Sequence, residues 1–135
     1  MLEQLNHNHS VSQLAVHFVW CTKYRHKVLV NLAEEIVKQT IAEACIAYNY
    51  KLIALEVMPD HVHCFIQLPP TEAPVNVAKT LKSLAAIAVF TRCKTLKQNK
   101  FWGSGLWSNS TYYGSVGETT AEIVKNYVDT QKLRE

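Results

Sequence analysis

The 135-residue chain contains no C-x-x-C pair. Its four cysteines, Cys21, Cys45, Cys64 and Cys93, are spread at wide intervals, so neither a zinc ribbon nor a disulfide framework is indicated. Reduced thiols in a cytoplasm are the expectation. A long apolar run is also missing: the longest, around Leu84 to Phe90, falls far short of the roughly 20 residues a membrane-spanning helix needs. The N-terminus lacks a basic stretch followed by an apolar one. A soluble, unexported protein with no membrane partner is therefore expected. No strong charge of one sign is present either. The net charge of +3 permits nucleic-acid binding without arguing for it. No phosphate-cradling Gly-rich loop or Walker-type lysine occurs, and nothing in the composition suggests disorder or collagen-like repeats.

What is there is 48% hydrophobic content, enough for one compact domain with a real core spanning residues 1–135. The basic residues gather in two clusters, Lys23 to Lys27 and Lys79 to Lys100, while acids collect near Glu34, Glu35, Glu118 and Glu122. A solvated surface and a phosphate track both fit such clusters. The segment Gln13 to Cys21 is rich in β-branched and aromatic residues and reads as a strand. Asn31 is a plausible cap for a helix to about Tyr48, with Leu32, Ile36, Ile41 and Cys45 near helical spacing. Lys51 to Met58 sets Ile53, Leu55 and Val57 against Leu52, Ala54 and Glu56. After the Pro59-Asp60 turn His61 to Leu68 alternates again, which predicts an antiparallel hairpin. From Val75 to about Leu96, Val77, Leu81, Leu84, Ala88 and Thr91 follow helical spacing. A short strand from Leu106 to Tyr113 is expected next. Gly114 and Gly117 then break the chain before a last helix, 118–132. The sum is an α+β fold: a ferredoxin-like β-α-β-β-α-β sheet, the arrangement of RNA-recognition modules, with two helices on one face, the other face open and a helix added at the C-terminus.

In a strand, residues two apart point to the same side about 6 to 7 Å apart, so His61 and His63 can converge while Val62, Cys64, Ile66 and Leu68 form a core-facing row. Side-by-side neutral imidazoles on the uncovered face make a natural metal site. Surface or packed histidines would carry the same spacing. On the last helix Tyr127 and Gln131, four apart, share a face beside the apolar Ile123, Val124 and Val128. A core tyrosine with a solvated glutamine is the plain alternative. Together the two pairs describe a nucleophile and an oxygen ligand that could pack on the face displaying two imidazoles.

Several features, in order along nearly the whole chain, resemble one family. They are Met58-Pro59-Asp60 before His61-Val62-His63, the run Thr22-Lys23-Tyr24-Arg25 after the first strand, Trp107-Ser108, Val116-Gly117, and Tyr127 four before Gln131. The family is the single-tyrosine HUH transposases of the IS200 type insertion sequences. The resemblance implies a Mg²⁺ or Mn²⁺ ion held by His61, His63 and Gln131, with Tyr127 attacking a scissile phosphate of single-stranded DNA to give a 5′-phosphotyrosine and a free 3′-hydroxyl. It also implies a homodimer in a prokaryotic cytoplasm, with active sites shared between subunits, acting on DNA with hairpin ends. Gly117, with Gly114, would be the flexible point that lets the tyrosine helix change partner; an ordinary helix-start glycine is the alternative. Lys23, Tyr24 and Arg25, with the Lys79 and Lys82 face, are the expected DNA contacts. Tyr112, Tyr113 and His17 read as structural. Asp60 could orient a histidine or bind metal, and turn chemistry explains it as well. Two rival classes remain: an RNA-recognition module stacking bases on open-face aromatics such as Phe65, and a zinc hydrolase, which lacks a third readable ligand.

Overall fold

In the computed structural model, which describes residues 5–7, 10–12, 15–96 and 105–116, the first β-branched and aromatic run becomes a central strand. Two short strands precede it: β1 (Leu5–His7) and β2 (Ser10–Ser12) pair antiparallel. The central strand is β3 (Ala15–Thr22). It is followed by a 3₁₀ turn (Lys23–Arg25), helix α1 (Leu32–Ala47), strands β4 (Lys51–Met58) and β5 (His61–Gln67), helix α2 (Pro74–Arg92), a helical turn Lys94–Leu96, and strand β6 (Trp107–Val116). The four long strands form one sheet in the order β4-β5-β3-β6, every neighbour antiparallel. The chain is thus mixed α+β.

Alternation in the two inner strands decides where the core sits. Val16, Phe18 and Trp20 of β3 and Val62, Cys64 and Ile66 of β5 point to one side. There they meet Ile36, Val37, Ile41 and Cys45 of α1 and Val77, Leu81, Ala85 and Val89 of α2. The two helices also pack on each other. Phe18, Ile66 and Leu81 are wholly buried; each contributes about 1.5–3 kcal/mol through apolar area removed from water.

Local chemistry accounts for the boundaries that shift from expectation. Pro74, one residue before the expected start at Val75, opens α2 at the position where a missing N–H costs nothing. Asn31 does precede α1, but its side chain makes no capping bond, and Leu32 on the first turn is half exposed. The alternation expected along β4 breaks at Ile53, where the register slips: Leu52 pairs Ile66 and Ala54 pairs Phe65. The extra residue turns Leu52 toward the core, against which it packs. Strand β6 runs three residues past Tyr113 because Gly114 joins the ladder opposite His17.

Candidate active site

The other face of the sheet carries the polar chemistry. Pairing sets Cys21, Val19, His17 and Ala15 of β3 against His61, His63, Phe65 and Gln67 of β5, so all eight belong to the face away from α1 and α2. The predicted convergence of the two histidines holds. Their ring centroids lie 4.5 Å apart with planes at 82°. His17 extends the row, stacked on His63 at 6.1 Å and 12°, and Tyr112 meets His17 edge-on at 6.0 Å. This face, away from the two helices, is nevertheless closed to water: His61, His63, His17, Phe65 and Gln67 are all at most 4% exposed. A wholly buried Phe65 offers no platform for stacking a base, which removes the main support for an RNA-recognition module.

His61 is oriented from the turn before it. Asp60 Oδ1 lies 2.6 Å from His61 Nδ1. Its other oxygen, Oδ2, accepts from Arg25 Nη2 at 3.1 Å and from Arg25 Nε at 3.2 Å. Burial alone would raise the Asp60 carboxyl, but the His61 hydrogen bond and the Arg25 charge outweigh it and hold the group below its ordinary value. An ionised carboxylate can only accept, so a hydrogen bond across this contact is one that Nδ1 of His61 donates. The 3₁₀ turn supplies Arg25 at a backbone cost: Tyr24 and Arg25 have φ of 58° and 54°, a region unfavourable for side-chain-bearing residues by roughly 1 kcal/mol or more each. Thr22 secures this turn, its hydroxyl donating to the His26 carbonyl at 2.7 Å and its N–H to the Asp60 carbonyl at 2.9 Å.

A sequence model of the family described as "Transposase IS200 like" matches residues 10–131. The chain belongs to the IS200-like transposases. It is similar to the ISDra2 transposase TnpA of Deinococcus radiodurans, 35% identical over 125 residues that span 93% of this chain and 89% of that protein. The transposase for insertion sequence element IS200 of Salmonella typhimurium is 24% identical over 122 residues, 88% of this chain and 80% of that one. A crystal structure of a Deinococcus radiodurans R1 protein described as a transposase superposes with a TM-score of 0.76 at 32% identity, covering 94% of this chain and 97% of the other. A REP-associated tyrosine transposase solved with a REP hairpin gives 0.62 at 16% identity, over 94% of this chain and 69% of that one, a likeness of fold.

The other sequence-predicted residues of this transposase divide into three groups. Tyr127, Gln131, Gly117 and the expected helix 118–132 lie outside the described residues. Gly114, expected as part of a flexible break, instead sits inside paired β6, with the Tyr112 ring across it: a Cβ there would come 3.1 Å from the Tyr112 hydroxyl. Among the expected DNA contacts, Tyr24 stands 74% exposed at the tip of the 3₁₀ turn, its ring edge-on to His26 and 5.9 Å from the Lys23 ammonium. Lys79 is exposed on α2 and lines a cleft of about 360 Å³ between α2 and β6, together with Lys82, Ser83, Trp107, Ser108 and Tyr113. Arg25 and Lys82 also make contacts within the protein. Arg25 is tied to Asp60, and Lys82 donates to the Ser108 carbonyl and the Thr111 hydroxyl, both at 3.0 Å.

Two convergent imidazoles, one oriented by a carboxylate, suit a divalent cation, because a carboxylate partner fixes the ring and raises its basicity. Among the described residues no group of three His, Cys, Asp or Glu side chains could hold a metal, so a site here needs a ligand of another kind or from elsewhere. His17, structural by its sequence context, is a neighbour of this pair. The alternation of Val16, Phe18 and Trp20 with His17 and Val19 would have placed it on their face. Burial pushes His17 down to about 4, so this third ring stays neutral near pH 7.

Proposed function

We propose that this transposase cleaves and rejoins single-stranded DNA at insertion-sequence ends through a 5′-phosphotyrosine on Tyr127. The convergence of His61 and His63, with His61 held by Asp60, is the observation that carries this reading. His61, His63 and Gln131 would hold Mg²⁺ or Mn²⁺, which when bound acts as a Lewis acid on the scissile phosphate. The phenol of Tyr127, with an ordinary pKa of about 10, must lose its proton as it attacks. The tyrosine oxygen then bonds to phosphorus, the bond from phosphorus to the 3′ oxygen breaks, and that oxygen takes up a proton. In rejoining, another strand's 3′-hydroxyl attacks the same phosphorus and the tyrosine regains its proton. One phosphodiester is exchanged for another, so no ATP is needed.

The DNA is proposed to carry hairpin ends, a reading favoured by the likeness of fold to the REP-hairpin-bound transposase. Lys23, Tyr24 and Lys79 are the proposed contacts, the cations for phosphates and the exposed ring for an unpaired base. The strand order β4-β5-β3-β6, with each helix linking two strands that flank a third, supports a ferredoxin-like frame to which the tyrosine helix is added. Excision requires two cuts, which favours a homodimer whose active sites combine the histidines of one subunit with the tyrosine of the other. Strand β6 pairs only with β3 among the described strands, and a second chain would add along its other edge.

The test is to incubate the protein with hairpin-ended single-stranded DNA and Mn²⁺ and to resolve the products under denaturing conditions. A protein–DNA adduct that is lost with EDTA, and lost in His61→Ala or His63→Ala, supports the proposal. Binding without any adduct would leave a nucleic-acid-binding module in its place.

A further inference from the structure

Arg25 lies on the turn expected to touch DNA, yet its guanidinium is directed back into the protein. Nη2 and Nε both reach Asp60 Oδ2, at 3.1 and 3.2 Å, while Asp60 Oδ1 meets His61 Nδ1 at 2.6 Å. Two successive left-handed residues, Tyr24 and Arg25, are needed to bring the side chain there. Thr22 holds the turn to both ends of the contact, through the carbonyls of His26 and Asp60. Strain of this kind persists only where the surrounding structure over-determines it, and it concentrates at functional sites. A surface ion pair would not require it.

We propose that Arg25 and Asp60 form a relay that holds His61 in its Nδ1–H tautomer, so that Nε2 is the nitrogen offered to a divalent cation; both are positioning residues. Arg25 fixes the carboxylate through its forked donors, and the carboxylate fixes the ring. Because Arg25 neighbours the exposed Tyr24, the relay also joins the turn proposed to contact DNA to the metal site. This inference rests on the proposal that His61 is a metal ligand, but its first readout requires neither metal nor DNA.

The experiment uses the full-length, ¹⁵N-labelled, metal-free protein and long-range ¹H–¹⁵N correlation of the His61 ring, followed by titration with Mn²⁺ alone. The wild type is expected to show the Nδ1–H tautomer. Asp60→Ala is expected to lose that preference and to weaken Mn²⁺ binding by roughly 10–100-fold, the usual consequence of removing a partner behind a ligand. Asp60→Asn keeps the volume of the side chain but can present either an oxygen or an NH₂ group, so a mixture of tautomers is expected even if the alanine variant fails to fold. Arg25→Ala is expected to weaken Mn²⁺ binding less than Asp60→Ala does, and Arg25→Lys to recover part of the loss. An unchanged His61 tautomer in Asp60→Ala or Asp60→Asn would overturn the relay. Wild-type protein that binds no Mn²⁺ would overturn the metal reading instead, leaving the tautomer to judge the relay.

Discussion

The indole Nε1 of Trp107 donates to the backbone carbonyl of Lys82 at 2.8 Å, and the ammonium of Lys82 reaches back to the two residues Ser108 and Thr111 on the same strand. This exchange fastens α2 to the edge strand β6. It gives Lys82, whose charge and position suggest a phosphate contact, a structural contact as well. Burial lowers its pKa, an effect the nearby Cys21 partly offsets. Trp107→Phe is expected to cost about 1 kcal/mol, the worth of one hydrogen bond, and Lys82→Met about 1–3 kcal/mol, because acceptors are left without their donor. Lys79→Ala should change stability by less than about 0.5 kcal/mol. It should instead weaken DNA binding and reduce its salt dependence by about one counterion. Urea unfolding and DNA affinity measured against salt separate the two roles. Equal stability in all three variants would contradict the assignment.

Cysteine reactivity tests the core. Cys45 and Cys64 are buried, whereas Cys21 and Cys93 are partly accessible. Burial pushes the Cys45 thiol up to about 11 from 9.0, and burial, with the neighbouring Cys45, pushes Cys64 well above its ordinary value. The folded state therefore holds these protons more tightly than the unfolded chain. Stability from this source is whole below pH 9 and is lost as pH rises from 9 toward 11. At pH 8 a disulfide reagent should label Cys21 and Cys93 in the native protein, and Cys45 and Cys64 only after urea is added. The midpoint of thermal unfolding should fall between pH 9 and 11 by less in Cys45→Ala than in the wild type. Equal labelling of all four thiols in the native state would contradict this packing.

Sharing of active sites between subunits predicts complementation. A His61→Ala chain and a Tyr127→Phe chain are each expected to be inactive. Mixed and allowed to exchange, they should form some dimers in which the intact histidines of one chain meet the intact tyrosine of the other. About half the dimers are then mixed and one of their two sites is complete, so roughly a quarter of the wild-type cleavage should return. Sites built within one chain would return none.

Much of this arrangement was legible because side-chain period in a strand is strict. The row Val62, Cys64, Ile66 fixed the side on which His61 and His63 would lie, and their 4.5 Å convergence follows from it. The slip at Ile53 was not legible, since a bulge inserts a residue without any compositional mark and reverses the parity of what precedes it, as it did for Leu52. The run of β6 through Gly114 was hidden for a related reason: a glycine reads as a break until its partner, His17, is known. The tie from Arg25 to Asp60 spans 35 residues and depends on two left-handed φ values, so no local pattern announces it. A cluster of basic residues looked like a surface feature, and one of its members is committed to the site.

The most direct test of the central claim is to locate the covalent bond. The adduct formed with hairpin-ended single-stranded DNA and Mn²⁺ is to be digested with protease and nuclease and sequenced by mass spectrometry. Tyr112, which lies beyond His17 from His63, and Tyr113, which packs against Phe18 toward the helices, are the internal comparisons. A 5′-phosphonucleotide is expected on the peptide containing Tyr127, with no adduct from Tyr127→Phe. A modified Tyr112 or Tyr113, or an undiminished adduct from Tyr127→Phe, would contradict that claim.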